Sequence, residues 1–225
     1  RGYERADSLR DRGEKPYPVE RVMRDVRINT VIEGTSQIMR LIIAREALDS
    51  HVNLIMPMVS PNSKIQERLS AFLKAVGFYS LWYPRQFIPR DPLPKNVWIP
   101  QALRGHMKYV GRTARRLARN VFHAMMIYQQ KLEIKQQLMS RIVNIGTDLY
   151  AMSASCARAI RLCEANPSDP SPSELAHLFC LQARSRIEKQ FRSLFFNHDA
   201  DAYKVAQKVL RNEYAWLEND IIAPD

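Results

Sequence analysis

Glycine is scarce in this chain, seven residues in 225, which is about half its usual share in globular proteins. That scarcity excludes collagenous and glycine-rich designs, and nothing in the sequence alternates with period two over a useful length, so amphipathic strands are not expected. No uninterrupted apolar run reaches the roughly 18 residues that a membrane-crossing helix needs. The three cysteines, Cys156, Cys163 and Cys180, show no CxxC spacing, and buried reduced thiols are the expectation for them. Histidines at 51, 106, 123, 177 and 198 form no His-x-x-x-His or mixed Cys/His pattern, so no metal site is expected. The first residue is Arg and no charged-then-apolar leader follows it. No signal peptide is therefore expected, and the chain reads as a piece of something longer.

Present instead are 46% apolar residues, 13 prolines and a formal charge of +11. The apolar share suits a helical globular protein with a sizeable core. The charge points to an anionic partner: nucleic acid, an acidic membrane, an acidic protein or phosphate groups. The prolines gather at 16–18, 57–61, 84–100 and 167–172, where they separate periodic stretches.

Residues 1–17 read as a loop or a broken helix. Val19, Val22, Met23 and Val26 then recur at helical spacing, so 18–27 is a short helix with Pro18 at its start. After a turn at Glu33, Thr35 or Ser36 can cap a helix with Ile38, Leu41, Ile42, Ala44 and Leu48 on its apolar face. The stretch 57–63 marks the first boundary. A helix over 64–82 carries Ile65, Leu69, Phe72, Leu73 and Val76 on one side, and 84–100, with five prolines, cannot be helical. Helices at about 101–130, 131–165, 173–196 and 199–218, joined by short connections, predict antiparallel neighbours in a four-helix bundle. The fold class is all-α. Aromatics between Phe78 and Trp98 are expected to plug gaps between two bundles.

Chemistry concentrates at Glu33. This carboxylate follows apolar Val31 and Ile32 and precedes Gly34-Thr35-Ser36-Gln37. Apolar surroundings disfavour its charged form and raise its pKa toward that of a useful general base. The glycine and hydroxyl residues suit a tight turn into a helix N-terminus, where backbone N–H groups can hold a phosphate or a carbonyl.

The run from Pro18-Val-Glu-Arg-Val-Met-Arg-Asp-Val-Arg to Glu33-Gly-Thr-Ser-Gln-Ile-Met-Arg40 resembles the C-terminal part of flavin-dependent acyl-CoA dehydrogenases. In that family two such blocks recur in this order and spacing. The resemblance covers roughly residues 1–50, and the remainder looks like the extra helical extension of the very-long-chain members. It implies part of the family's C-terminal helical bundle over 1–58, a helix and Pro-rich connection over 59–100, and a second, roughly four-helix bundle over 101–225. It implies Glu33 as the catalytic base, Gly34 as a substrate-side backbone position, and Thr35, Ser36 and Gln37 as FAD contacts. Gly2 would match the last glycine of a flavin-contacting loop, and Arg24 with Asp25 the family's structural Arg-Asp pair. The implied reaction is α,β-dehydrogenation of a long-chain fatty acyl-CoA to the trans-2-enoyl-CoA in β-oxidation, with electron-transfer flavoprotein as electron acceptor. A homodimer is expected, as is an intracellular location: bacterial cytoplasm, or mitochondrial matrix with peripheral contact at the inner membrane. The resemblance departs at Ile32, where relatives carry Tyr or Phe, so the wall of the acyl pocket is expected to differ. The family's N-terminal helical domain and middle β-domain are not in this sequence, so the fragment alone is expected to be inactive.

A second feature lies at 101–125. Arg104, Lys108, Arg112, Arg115, Arg116 and Arg119 share one helical face. Leu103, Met107, Val110, Ala114, Leu117 and Val121 share another, and no acidic residue occurs between Gln101 and Leu132. Three readings compete: a solvated bundle face with ion pairs from neighbouring helices, contact with anionic lipid, and nucleic-acid binding. The last is disfavoured because no aromatics interleave with the basic residues as stacking platforms. A non-catalytic helical module for dimerisation or anionic-membrane docking is the rival to the enzyme reading.

Overall fold

A computed structural model describes residues 6–32, 34–60, 63–89, 93, 97–132 and 134–217. All regular structure among them is helical: α1 (Ala6–Asp11), α2 (Val19–Asn29), α3 (Ser36–Val59), α4 (Ile65–Arg85), α5 (Gln101–Tyr128), α6 (Gln136–Ala165), α7 (Ser171–Arg192) and α8 (Asp199–Leu210), with 3-10 turns at Gln129–Leu132 and Ala215–Leu217. The all-α architecture is that of part of the first bundle followed by a second, roughly four-helix bundle.

The core sits around α6. Leu138, Met139, Ile142, Val143, Ile145, Leu149, Met152, Cys156, Ala159, Ile160 and Cys163 are buried along it, at the three- and four-residue steps that keep one face inward. Helix α7 returns beside α6 and buries Ala176, Cys180, Ala183, Ile187 and Phe191. Across this antiparallel seam Arg186 Nη2 reaches Asp148 at 2.6 Å. Helix α5 packs on both, which sets it parallel to α7. Short α8 buries no side chain. It is tied at its first residue, Asp199, which accepts two 2.6 Å hydrogen bonds from Arg141 on α6. This fork holds the Asp199 carboxyl below its usual pKa. Three helices thus carry most of the core, and α8 is attached to them through Asp199.

The two bundles share that core. Ala44 and Leu48 of α3 belong to the same buried cluster as the α6 residues, with Leu41 packed against it. Ile38 and Ile42, expected on the same inward face, stay about half exposed. Helix α4 also departs from expectation. Ala71 and Ala75 are buried, whereas Ile65, Leu69, Phe72, Leu73 and Val76 are exposed. Small side chains let α4 approach α3 closely, and the larger stripe turns outward. The expected aromatic plug is present only in part: Tyr79, Trp82 and Tyr83 of α4 lie around Phe122 of α5 with centroids 4.9–6.0 Å apart, whereas Phe78, Phe87 and Trp98 are exposed. His51 Nδ1 on α3 meets the Tyr79 hydroxyl at 2.9 Å, and Tyr83 meets His123 Nε2 at 2.9 Å.

Helix ends differ by a few residues from the sequence reading. Helix α3 passes Pro57 and α4 passes Pro84, each within its last turn. There a proline forfeits one intrahelical bond and the helix ends soon after. Helix α5 stops at Tyr128 because Gln129 adopts φ +48°, and α6 begins at Gln136 rather than 131.

Candidate active site

The turn between α2 and α3 is built by local bonds. Thr30 closes α2, its Oγ1 donating to the Arg27 carbonyl at 2.7 Å. The Val31 and Ile32 N–H groups both return to the Ile28 carbonyl. Both side chains point outward, Ile32 being 70% exposed. Gly34 follows at φ +93°, and a Cβ added there would lie 3.1 Å from Met39 Sδ. Glycine suits the left-handed backbone, and a larger residue would also have to displace the exposed Met39 thioether by a few tenths of an ångström. Of the two expected caps the structure selects Thr35, whose Oγ1 accepts from the Ile38 N–H at 3.4 Å. No acidic side chain occupies the first turn of α3, so the positive end of the helix is not neutralised from within that turn. Glu33 and Gly2 lie outside the described residues. Thr35 and Ser36 are partly buried, and Gln37 is exposed. Asp25, expected to act with Arg24, meets Arg21 on its own helix at 3.6 Å in a solvent-exposed pair.

The basic helix is more compensated than its sequence implies. Arg116 Nη1 donates to both Glu188 oxygens, at 3.0 and 2.8 Å, and the Tyr109 hydroxyl donates to Glu188 Oε1 at 2.8 Å. The Arg116 guanidinium also lies 3.9 Å from the Phe191 ring centroid. Burial raises the Glu188 pKa, but hydrogen bonds from Arg116 and Tyr109 and the Arg116 and Arg184 charges outweigh it, leaving the carboxyl low. Burial, then Glu188, pushes Tyr109 up to about 12. Arg119 donates to the Gln86 carbonyl at 2.6 Å and stacks 4.5 Å over Phe87, while Arg104 Nε donates to the Ile99 carbonyl at 3.2 Å. Of the three readings, these contacts favour a bundle face partnered by neighbouring elements for Arg116 and Arg119. Arg115 is partly buried, and Arg104, Lys108 and Arg112 are the exposed remainder. The expected apolar line is also adjusted: Ala114 is exposed, and the fully buried positions are Leu103, His106, Thr113 and Ala124.

His106 is the polar group that sequence reading missed. It is 2% exposed, its Nε2 lies 2.9 Å from His177 Nδ1 on α7, and its own Nδ1 is buried without a hydrogen-bond partner. Burial first, then the His177 and Arg184 charges, hold its pKa below the usual value. The available signal was a polar line on α7, His177, Arg184 and Glu188, at steps of seven and four.

Two family sequence models match in the order that this architecture requires. One, described as "Acyl-CoA dehydrogenase, C-terminal domain", covers residues 2–48, and the other, "ACAD9/ACADV, C-terminal domain", covers 101–215. The chain belongs to the acyl-CoA dehydrogenase family, as a C-terminal portion with the additional helical extension. Among individual proteins it is 42% identical over 223 residues to a probable acyl-CoA dehydrogenase, FadE10, of Mycobacterium tuberculosis, covering 99% of this chain and 34% of that protein. It is 23% identical over 201 residues to a probable acyl-CoA dehydrogenase of Bacillus subtilis (87% of this chain, 30% of that protein). A third relative is the mitochondrial very long-chain specific acyl-CoA dehydrogenase of Rattus norvegicus, 27% identical over 185 residues (80% and 27%). The chain spans about a third of the length of these relatives.

Proposed function

We propose that this chain is the C-terminal portion of an FAD-dependent oxidoreductase that dehydrogenates a long-chain fatty acyl-CoA to the trans-2-enoyl-CoA, a step of β-oxidation. The observation that carries the reading is the Gly34–Thr35 junction. A left-handed glycine packed against Met39 delivers the chain into a capped helix N-terminus directly after Glu33. Such an end suits the diphosphate of a dinucleotide, so Thr35, Ser36 and Gln37 fit FAD and would hold it, joined by Gly2 from outside the described residues. When bound, the flavin supplies the acceptor for the hydride that leaves the substrate β-carbon. The chain's own part is proton chemistry and positioning. Glu33 removes the α-proton, and the backbone N–H of Glu33 holds the thioester carbonyl as charge develops on its oxygen. Gly34 lets the backbone approach the substrate, and Ile32 replaces an aromatic wall by a branched aliphatic one.

Residues 1–58 are proposed as the catalytic part, 59–100 as the connection and 101–225 as the extension. Acyl-CoA, electron-transfer flavoprotein and a second copy of the chain are the proposed partners, in bacterial cytoplasm or mitochondrial matrix. The test is Glu33→Gln in the full-length enzyme. Acyl-CoA dehydrogenation is expected to vanish while FAD remains bound, and retained turnover would remove Glu33 from the mechanism.

A second reading concerns α5. Arg104, Lys108 and Arg112 stay exposed along one face, and we propose them as a contact for anionic lipid at an inner-membrane surface. No helix among the described residues is long and apolar enough to cross a membrane. Co-sedimentation with anionic vesicles but not with neutral ones is expected. Equal binding to both would discard the electrostatic contact.

A further inference from the structure

The seam between α6 and α7 brings two of the chain's three cysteines together. Cys156 Sγ and Cys180 Sγ lie 3.6 Å apart, both fully buried, one from each helix. Their surroundings are small: Ala159 on α6 and Ala176 and Ala183 on α7 are buried along the same seam. Small residues let helix backbones approach closely, and a disulfide requires Cα atoms within about 7 Å of one another. Cys163, two helical turns further along α6, is buried but has no sulfur partner among the described residues.

We propose that Cys156 and Cys180 are a redox pair that a small hydroperoxide converts into a disulfide between α6 and α7. Either sulfur can donate to the other across this contact. With Cys180 donating its S–H, Cys156 is favoured as the first thiolate, against the opposing effect of burial, while Cys180 is raised and keeps its proton. The Cys156 thiolate attacks one peroxide oxygen, the O–O bond breaks, and the departing hydroxide takes up a proton to leave as water, giving a sulfenic acid at Cys156. Cys180 sulfur then attacks Cys156 sulfur. The S–O bond breaks, the S–S bond forms, and the Cys180 proton leaves with the hydroxyl as a second water. Two thiols are oxidised by two electrons in all, and one peroxide is reduced by two. Full burial sets how each oxidant gains access. Both sulfurs are closed even to a water molecule, so hydrogen peroxide, about the size of two waters, reaches them through a small local opening of the α6–α7 seam, whereas oxidised glutathione needs a far wider one.

The full chain, treated with hydrogen peroxide and then denatured and alkylated, is expected to fall from three free thiols to one. The peptides of Cys156 and Cys180 should be linked and Cys163 alkylated. The linked chain is expected to remain a monomer on a non-reducing gel and to unfold at higher denaturant, an increase that reductant removes. Oxidised glutathione is expected to leave all three thiols free. Cys156→Ala and Cys180→Ala are each expected to abolish the link, and Cys163→Ala to preserve it. Peptide mapping of the unsubstituted chain decides the matter even where a variant fails to fold. Linkage through Cys163, no linkage at peroxide levels that oxidise the denatured chain, or linkage by glutathione disulfide alone would each overturn the proposal.

Discussion

Helices α2 and α6 both carry apolar residues at helical spacing, yet only one of them buries its stripe. On α6 eleven side chains are buried. On α2 Val19, Val22, Met23 and Val26 are each 51–56% exposed. Periodicity states that a helix has an apolar face, not that the partner for this face lies in the same chain. Helix α6 finds its partners in α5, α7 and α3, all within this sequence. Among the described residues the α2 stripe remains about half exposed, and the chain spans about a third of the length of its relatives.

The contrast can be broken most directly by truncation. Ile145→Ala, at a fully buried site on α6, is expected to lower stability by about 2–5 kcal/mol in denaturant titrations. Val22→Ala on α2 is expected to change the same chain by less than about 0.5 kcal/mol, but the full-length protein by considerably more. Equal effects of Val22→Ala in both would show that the α2 stripe has no cover in the whole protein.

A smaller effect is expected from Glu188→Gln, which leaves Arg116 facing a neutral amide. Because both side chains are about two-fifths exposed, water screens the pair, and the loss should be about 1 kcal/mol. The same substitution should lower the Tyr109 pKa, readable by ultraviolet titration.

The pH dependence sharpens the comparison further, because His106 belongs to the closed bundle. Its folded pKa lies below the unfolded value of 6.5, so the unfolded chain binds more protons in the interval between the two. Its contribution is complete above about pH 6.5 and is lost as pH falls toward the folded pKa. Asp199 and Glu188, whose folded pKa values are also depressed, add a second loss at lower pH, as pH falls through their folded values. A denaturation midpoint that stays flat from pH 7 to 5 would contradict the His106 assignment, and His106→Asn should reduce the slope, the rest coming from His51, whose pKa burial also lowers. The smallest effect is expected at Asp25→Asn, which removes an exposed pair on α2 and should cost no more than about 0.5 kcal/mol.

What could be read in the sequence was local. The spacing of Val19 to Val26, the caps and the proline clusters gave the helices, since each depends on neighbours within a turn or two. The Glu33 turn was legible for the same reason: Gly34, Thr35 and Ser36 act within five residues of one another. The partner of Arg116 could not be named because Glu188 stands 72 residues away, and only the parallel placement of α5 and α7 brings them together. His106 was invisible on the same ground. The outward turn of Leu69 and Phe72 could not be read either, because alanines at 71 and 75 won the contact with α3 through close approach rather than through hydrophobic area.

The bond between His51 and Tyr79 has a mechanical consequence. Helix α3 is a continuous rod from Ser36 to Val59, held near its middle by Ala44 and Leu48 against α6 and, beyond them, by His51 against α4. From Thr35 to His51 the rod measures about 24 Å. Tyr83 joins α4 in turn to His123 on α5. The aromatic joint therefore backs up the hold at Ala44 and Leu48, leaving an arm of about 14 Å from Ala44 to Thr35, whose tip swings by roughly an ångström for a tilt of about four degrees.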